Sequence, residues 1–467
     1  MRANPEVVVI GAGFGGLGVA LSLRRAGFER FTVLERADDV GGVWRDNTYP
    51  GAACDVPSSL YSYSFFPNLS WPRRYAAQPD ILAYLRRTAE VVRDRIRFGA
   101  EVVAATFDDG RWRVELAGGE VVEADVLVSA VGQLNRPSTP DLPGLADFAG
   151  PVFHSARWRH DVDLRGKRVA VVGTGASAAQ FVPKIQPVAG HLTVFQRSAP
   201  HVLPKPDAGR RRPARPSTSK IARRGVWLAC EAFTWLLTSG RFSRGVVAGL
   251  AAAHRVVRVR DRKLRALVRP RTEVGCKRVL FSNDWYPALA APNAAVVTDW
   301  ITEVTARGVR TADGREHAAD VLIWGTGFEV ADFRLPMRVI GRYGRDLADV
   351  WGGRPRAHLG LTVPGFPGFF LVYGPNTNLG GSSIVTMIEA QCRYVVAAVR
   401  RFAETGVPVE VAPEVAEAFD EEMRARLANG VWSGCSSWYR SDDGSVTTNW
   451  PGNTREYLRR TAQLEGV

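Results

Sequence analysis

The sequence predicts an α/β protein with two lobes of parallel sheet and a small helical insertion, and two observations carry that prediction. Glycine-rich turns occur twice, GAGFGG at Gly11–Gly16 and GTGASA at Gly173–Ala178, each between an apolar run and a helical stretch. A strand-to-glycine ending also recurs, DVLVSAVG from Asp125 and DVLIWGTG from Asp320. This is the pattern of a chain that leaves its first lobe near residue 136 and returns to it near residue 320. At 467 residues the chain is too long for one ordinary domain, and its 46% hydrophobic content is ample for more than one core.

Composition excludes several classes. The formal charge of +14 invites an anionic partner, but the excess is almost all arginine and is dispersed along the chain. No zinc-finger, RNA-recognition or basic-zipper pattern accompanies it, so no nucleic-acid partner is expected. The five cysteines (Cys54, Cys230, Cys276, Cys392, Cys435) form no CxxC or CxxxxC pair, which indicates neither a disulfide framework nor a dithiol redox centre. No metal site is expected. The chain enters a strand within a few residues of Met1, leaving no room for a signal peptide, and no apolar run reaches the ~20 residues that span a bilayer. A reduced, cytoplasmic setting is the expectation.

In chain order, Val7–Ile10 is a continuous apolar run, as a strand buried on both faces requires. Gly11, Gly13 and Gly16 complete GxGxxG, with Phe14 and Gly15 between, and a helix follows to Arg25. Glycine lets the backbone turn tightly and approach a pyrophosphate, and the helix N-terminus offers it free N–H groups. The next strand, Phe31–Leu34, ends in Glu35 and Arg36; Glu35 is placed to accept from a ribose 2′-hydroxyl. The strand, turn, helix and acid together read as a dinucleotide site.

Residues 41–61 form an irregular Gly-, Pro- and aromatic-rich loop holding Gly42, Val43, Trp44, Asp55, Val56 and Tyr61. Such a loop buries unpaired backbone groups unless it wraps something. Asp55 within it either faces a bound group or caps the next turn. A helix (Gln78–Val92) and a two-strand ribbon (Val102–Phe107, Arg111–Leu116) come next.

The stretch FAGPVFHSARW, with Phe148, Gly150, His154 and Trp158, reads as a hinge leading into the second glycine turn. There Gly173, Thr174, Gly175, Ala176 and Ser177 form the turn, Ala178 takes the third glycine position, and Gln180 follows on the helix. The next strand, Leu192–Phe195, ends in Gln196, Arg197 and Ser198 rather than in an acid. An acid repels a 2′-phosphate and an arginine pairs with it, so the second nucleotide is read as NADPH.

Residues 206–275 are Arg- and Ala-rich and helical in pattern. The apolar stretch Gly225–Ser239 is too short to span a membrane. It suits a helical lobe packed on its host, a wall of a substrate entrance, or a helix lying on a membrane surface; surface contact is the lesser expectation. Beyond it, GCKRVLFSNDWYPAL sets Lys277 and Arg278 side by side, and two cations in a buried loop need anionic partners. A nucleotide phosphate and a carboxylate such as Asp55 supply them. Gly374–Ser383 (GPNTNLGGSS) and the aromatic loop Cys435–Gly452, with Trp438, are read as pocket walls. The expected division is 1–140 with 320–467 for the first nucleotide, 141–205 with 276–319 for the second, and 206–275 for the insertion.

These residues carry a family likeness. FAGPVFHSARW matches FxGxxxHxxxW, and Gly41, Gly42, Trp44, Tyr49, Pro50, Gly51 and Asp55 meet [AG]GxWxxxx[FY]P[GM]xxxD in full. With a GxGxxG turn on either side, the chain resembles the class B flavin-dependent monooxygenases over nearly its whole length. Within them it resembles the Baeyer–Villiger monooxygenases, where Trp158 stands in place of the Tyr or Phe of the nitrogen- and sulfur-oxygenating relatives. GCKR and GPNTNLG resemble the hydroxyacetophenone-monooxygenase branch.

The resemblance implies two Rossmann-like domains, FAD on the first turn and NADPH on the second. It implies oxidation of a ketone to an ester or lactone with NADPH and O₂ through a flavin C4a-peroxide. It assigns the charge-stabilising role to Arg278, held by Asp55, with Trp44 and Tyr61 near the flavin ring and Arg197, Ser198 and Lys277 near the 2′-phosphate. His154 and Trp158 then couple nucleotide binding to domain motion, unless Trp158 only packs in the core. Two rivals remain open: a sulfur- or nitrogen-oxygenating enzyme with the same cofactors, and a flavin-fold protein that binds a membrane surface or partner without turnover. A disulfide reductase of similar plan lacks its cysteine pairs here.

Overall fold

Two five-stranded parallel sheets organise the chain, and each is built around the strand that feeds a glycine turn. A computed structural model describes residues 4–207, 220–331, 333, 335–434, 439–441 and 443–464. In the first sheet the order is Phe369–Leu371, Val126–Ser129, Val7–Ile10, Phe31–Leu34, Ile96–Arg97. In the second it is Ala294–Val297, His191–Phe195, Arg168–Val172, Val321–Trp324, Val152–His154. Every pairing within both is parallel. The central strands are apolar because both faces are covered, one by helices and the other by a small, mostly antiparallel sheet, and Val7, Val8 and Val9 are fully buried.

The recurring strand motif does not mark the chain's return to the first lobe. Val126–Ser129 lies beside Val7–Ile10, whereas Val321–Trp324 lies beside Arg168–Val172 in the second sheet. The two copies fill the same slot, each next to the strand of its own glycine turn. The expected boundary at residue 320 therefore moves beyond Trp324, and the chain re-enters the first sheet with Phe369–Leu371.

Smaller elements brace these sheets. The expected ribbon is part of a four-stranded sheet of Arg338–Ile340, Val102–Asp108, Arg111–Leu116 and Val121–Ala124. The helix Gln78–Ala89 ends earlier than the sequence pattern implies and continues as a 3₁₀ turn, Glu90–Arg95, around the non-helical Val92. The helix Phe14–Arg25 packs against the long helix Ile384–Thr405, whose N-cap Ser383 accepts from Val385 N and whose C-cap is left-handed Gly406. The cysteines contain one surprise: Cys276 is disulfide-bonded, which scattered spacing did not signal. Among the described residues no helix is long and apolar enough to cross a membrane.

The insertion is a helical hairpin, Lys220–Thr238 and Arg241–Arg258, followed by a short helix, Arg262–Leu267. Its inward faces share a core of Leu237, Val247, Ala251, Val274 and Val279. Arg223 reaches the first lobe, donating to Ser62 O at 2.9 Å and lying 3.6 Å from Glu389. Glu231 accepts from Thr454 N and Oγ1 at 3.0 and 2.6 Å, and Trp227 donates to Thr454 Oγ1 at 2.9 Å.

Candidate active site

Both glycine turns open onto one cavity of about 1140 Å³, larger than a single drug-sized ligand needs. Around the first turn its wall includes Gly11, Gly13, Phe14, Gly15, Glu35 and Arg36; the irregular loop adds Gly42, Val43, Trp44, Asp55, Val56 and Tyr61. Gly16 stands behind the wall. A Cβ there would sit 1.7 Å from Gly11 O, so this glycine serves the contact of helix on turn. Buried Glu35 accepts from Ala12 N at 2.7 Å and Ala37 N at 3.0 Å, and Arg45 lies 3.2 Å away. The acid thus fixes the turn, its neighbour strand and the loop together.

Around the second turn the wall includes Gly173, Thr174, Gly175, Ala176, Ser177 and Gln180. Thr174 Oγ1 donates to Ser198 O at 2.9 Å, and Lys277 Nζ donates to Ser198 Oγ at 2.5 Å. Arg197 joins them at the same wall. Burial first, and then the charge of Arg197, push Lys277 below the ordinary lysine range. Neither cation meets a carboxylate among the described residues. Two unneutralised cations beside Ser198, which Thr174 ties to the turn opening a helix, fit a phosphate. Gln196, neutral where the first site has Glu35, donates to Leu267 O at 2.9 Å.

Between the two turns lies the pair that the sequence suggested on charge grounds and the family likeness assigned to the site. Arg278 Nη2 is 2.7 Å from Asp55 Oδ2, 223 positions apart in the chain, and both line the cavity. Asp55 is the main cause that raises the Arg278 guanidinium above the usual arginine range, against the pull of burial. Three phenols surround this charge. Tyr61 and Tyr373 are raised by burial and Tyr439 is pushed up to about 12, with Arg278 drawing each partly back. They stay protonated at neutral pH, so Arg278 is the positive group they face.

Sequence reading missed Tyr373, which precedes the Gly374–Ser383 segment. It holds a left-handed backbone, φ 63°, unusual for a tyrosine. Its N donates to Gln391 Oε1 at 3.0 Å, its O accepts from Gln133 Nε2 at 2.7 Å, and its hydroxyl donates to Asn378 Oδ1 at 3.0 Å. Strain of this kind persists where the surroundings over-determine it. No composition or period signals it. Trp438 lies outside the described residues.

The hinge residues do not reach the cavity. Phe148, buried, packs with Ala170, Leu322 and Trp324, and His154 lies against Phe328, its ring centroid 5.8 Å away. His154 Nδ1 accepts from Ala156 N at 3.0 Å, and burial pushes this histidine down, toward the neutral form. Trp158 packs on Phe153 and Phe181, each at 5.3 Å, and Phe181 in turn meets Tyr49 at 6.1 Å. Tyr49 belongs to the Asp55 loop, and its hydroxyl donates to Gln180 Oε1 at 3.0 Å. The Gln180 amide also takes Ala53 N at 3.2 Å and donates to Ala53 O at 3.0 Å. Trp158 is thus half of a packed path from hinge to loop. Gly150 is needed for close approach, because a Cβ would sit 2.1 Å from Asp320 O. Gly150→Ala is expected to cost about 1–3 kcal/mol as overpacking does. A thermal melt checks this, and an unchanged midpoint would contradict the contact.

Comparison with known proteins gives this geometry a family. Residues 8–202 match the family model described as pyridine nucleotide-disulphide oxidoreductase. A Baeyer–Villiger monooxygenase of Streptomyces coelicolor is 45% identical, covering 100% of this chain and 92% of the relative. A solved oxidized steroid monooxygenase bound to NADP is 32% identical with TM-score 0.86, covering 99% of this chain and 98% of its own. OTEMO, solved in complex with FAD and NADP, is 27% identical with TM-score 0.88 over 99% of this chain and 98% of its own. Identity sustained over the full length, on a fold that holds both cofactors in its relatives, makes the chain a member of the Baeyer–Villiger monooxygenases, flavoproteins that use FAD and NADP.

Proposed function

We propose that this protein oxidises a ketone to an ester or lactone with NADPH and O₂, using the Asp55–Arg278 pair as its reacting centre. The observation that carries this reading is the position of that pair, on the wall of one cavity between two nucleotide cradles. Bound FAD supplies the activation of O₂ and its transfer to substrate.

The chain's own residues do the rest. Gly11–Gly15 and Glu35 hold the flavin nucleotide, while Trp44, its ring centroid 5.4 Å from that of Tyr61, and Tyr61 itself wall the ring. Thr174, Arg197, Ser198 and Lys277 hold NADPH by its phosphates. Arg278 presents a permanent cation to the negative charge that builds on the carbonyl oxygen as it is attacked. Such a donor, fixed in advance, costs no reorganisation during reaction. Asp55 orients it and balances its charge in the resting site.

The test is incubation with NADPH, ¹⁸O₂ and a ketone panel, read by mass. One labelled oxygen in an ester or lactone is the expected product. Label found only in sulfoxide or N-oxide products from added sulfides and amines, with every ketone untouched, would overturn the reading.

A further inference from the structure

The helical hairpin of the insertion has a second face that its packing does not use. Its inward residues, Thr234, Leu237, Val247 and Ala251, are buried. On the opposite side of Lys220–Thr238, Ile221, Leu228 and Trp235 recur every seven residues and are 83, 53 and 60% exposed. On Arg241–Arg258 the matching stripe holds Phe242, Val246, Leu250 and Val257, with Phe242 89% and Val257 75% exposed. Glycines and alanines fill the positions between them (Gly225, Ala232, Gly249, Ala253). A helix pair in water normally turns charged residues outward, whereas this one is apolar on both faces.

Charge decides what covers this face. Contrary to the dispersed excess expected from the whole sequence, residues 220–271 carry thirteen Lys and Arg against two acids, so most of the chain's +14 lies here. Both acids are already engaged, Glu231 by Thr454 and the exposed Asp261 by capping Leu264 N at 2.6 Å. Arg224, Arg241, Arg258, Arg262 and Lys263 are exposed and make no ion pair among the described residues. Arg241 and Arg258 are chain neighbours of Phe242 and Val257, and Arg224 is one turn from Ile221 and Leu228. A second copy of the chain would bring this cationic rim against its like, which costs energy. An anionic bilayer offers acyl chains to the apolar stripe and phosphates to the rim.

We propose that the hairpin 220–258 docks on an anionic lipid surface, lying in the plane of the headgroups with Trp235 and Phe242 inserted. The inward face of its first helix reaches the loop that carries the reacting arginine. Thr234, Leu237 and Thr238 line a small cavity shared with Lys277 and Arg278.

Vesicle binding tests the proposal without reference to turnover. The full-length, FAD-loaded protein is sedimented with phosphatidylglycerol–phosphatidylcholine vesicles and with phosphatidylcholine vesicles, at low and high salt, and its oligomeric state is measured without lipid. The expected result is binding to the anionic vesicles that salt weakens. It falls about tenfold or more in Phe242→Asp and in Trp235→Asp, both of which keep full flavin and an unchanged melting temperature. Arg241→Glu, which leaves the apolar stripe intact, weakens anionic binding alone. Absence of binding to anionic vesicles by the wild type overturns the proposal. So does a lipid-free dimer that Phe242→Asp dissociates while vesicle binding persists unchanged, which assigns the face to self-association.

Discussion

Arg278→Ala is expected to lower ester formation by about 10²–10³-fold, the usual cost of losing a pre-placed donor to a developing oxyanion. NADPH is still expected to reduce the flavin, because in the proposed site Lys277, Ser198 and Arg197 hold the nucleotide independently of the guanidinium. The measurement has two halves: anaerobic flavin bleaching with NADPH, then product formation from a ketone in air. Near-normal ester output would remove Arg278 from the chemistry. Equal losses in both halves would make it a nucleotide-binding residue. Arg278→Lys keeps a charge but loses the planar fork that meets Asp55, so an intermediate rate is expected. Since Asp55 raises the guanidinium rather than lowering it, the charge on Arg278 persists across the working pH range.

The second large effect is on coenzyme choice. Arg197→Ala is expected to raise KM for NADPH roughly 10- to 100-fold, the equivalent of one to two charge-assisted hydrogen bonds, with little change for NADH. Comparison of kcat/KM for the two coenzymes checks it, and equal values in the wild type would refute the assignment. Lys277 adds a pH signature. Burial and Arg197 hold it below the ordinary lysine range, so it loses its proton, and with it its grip on phosphate, earlier on the alkaline side than a free lysine would. KM for NADPH should rise there first, and Lys277→Arg should move that rise to higher pH.

Local chemistry made much of this molecule legible before any coordinates. The two glycine turns, the acid at Glu35 and the arginine at Arg197 each follow from one short stretch, and all four line the cavity. Long-range placement was not legible from residues alone. Charge chemistry offered Asp55 as one carboxylate for the Lys277–Arg278 loop, but only the family likeness singled out the Asp55–Arg278 pair, 223 positions apart. The motif at Asp320 misled for a related reason. Identical strand chemistry serves identical slots, and which sheet holds the slot is a matter of topology. Tyr373 escaped because its value lies in a left-handed backbone and three tertiary hydrogen bonds. The hairpin was read correctly as apolar, but its period satisfies an inward face and cannot announce that the outward face is apolar too.

The joint at Gln180 has a consequence for how the reacting pair is timed. Its amide binds the Asp55 loop to the helix that begins at the second glycine turn, and Arg278 follows directly on Lys277, which grips Ser198 beside that same turn. Both halves of the ion pair are therefore leashed to the second glycine turn, the proposed seat of the coenzyme, one through a side chain and one through a peptide bond. With the proposed roles, a displacement of that seat would move carboxylate and guanidinium together, and the reductant's berth would also be the calibration stop of the oxygenating site.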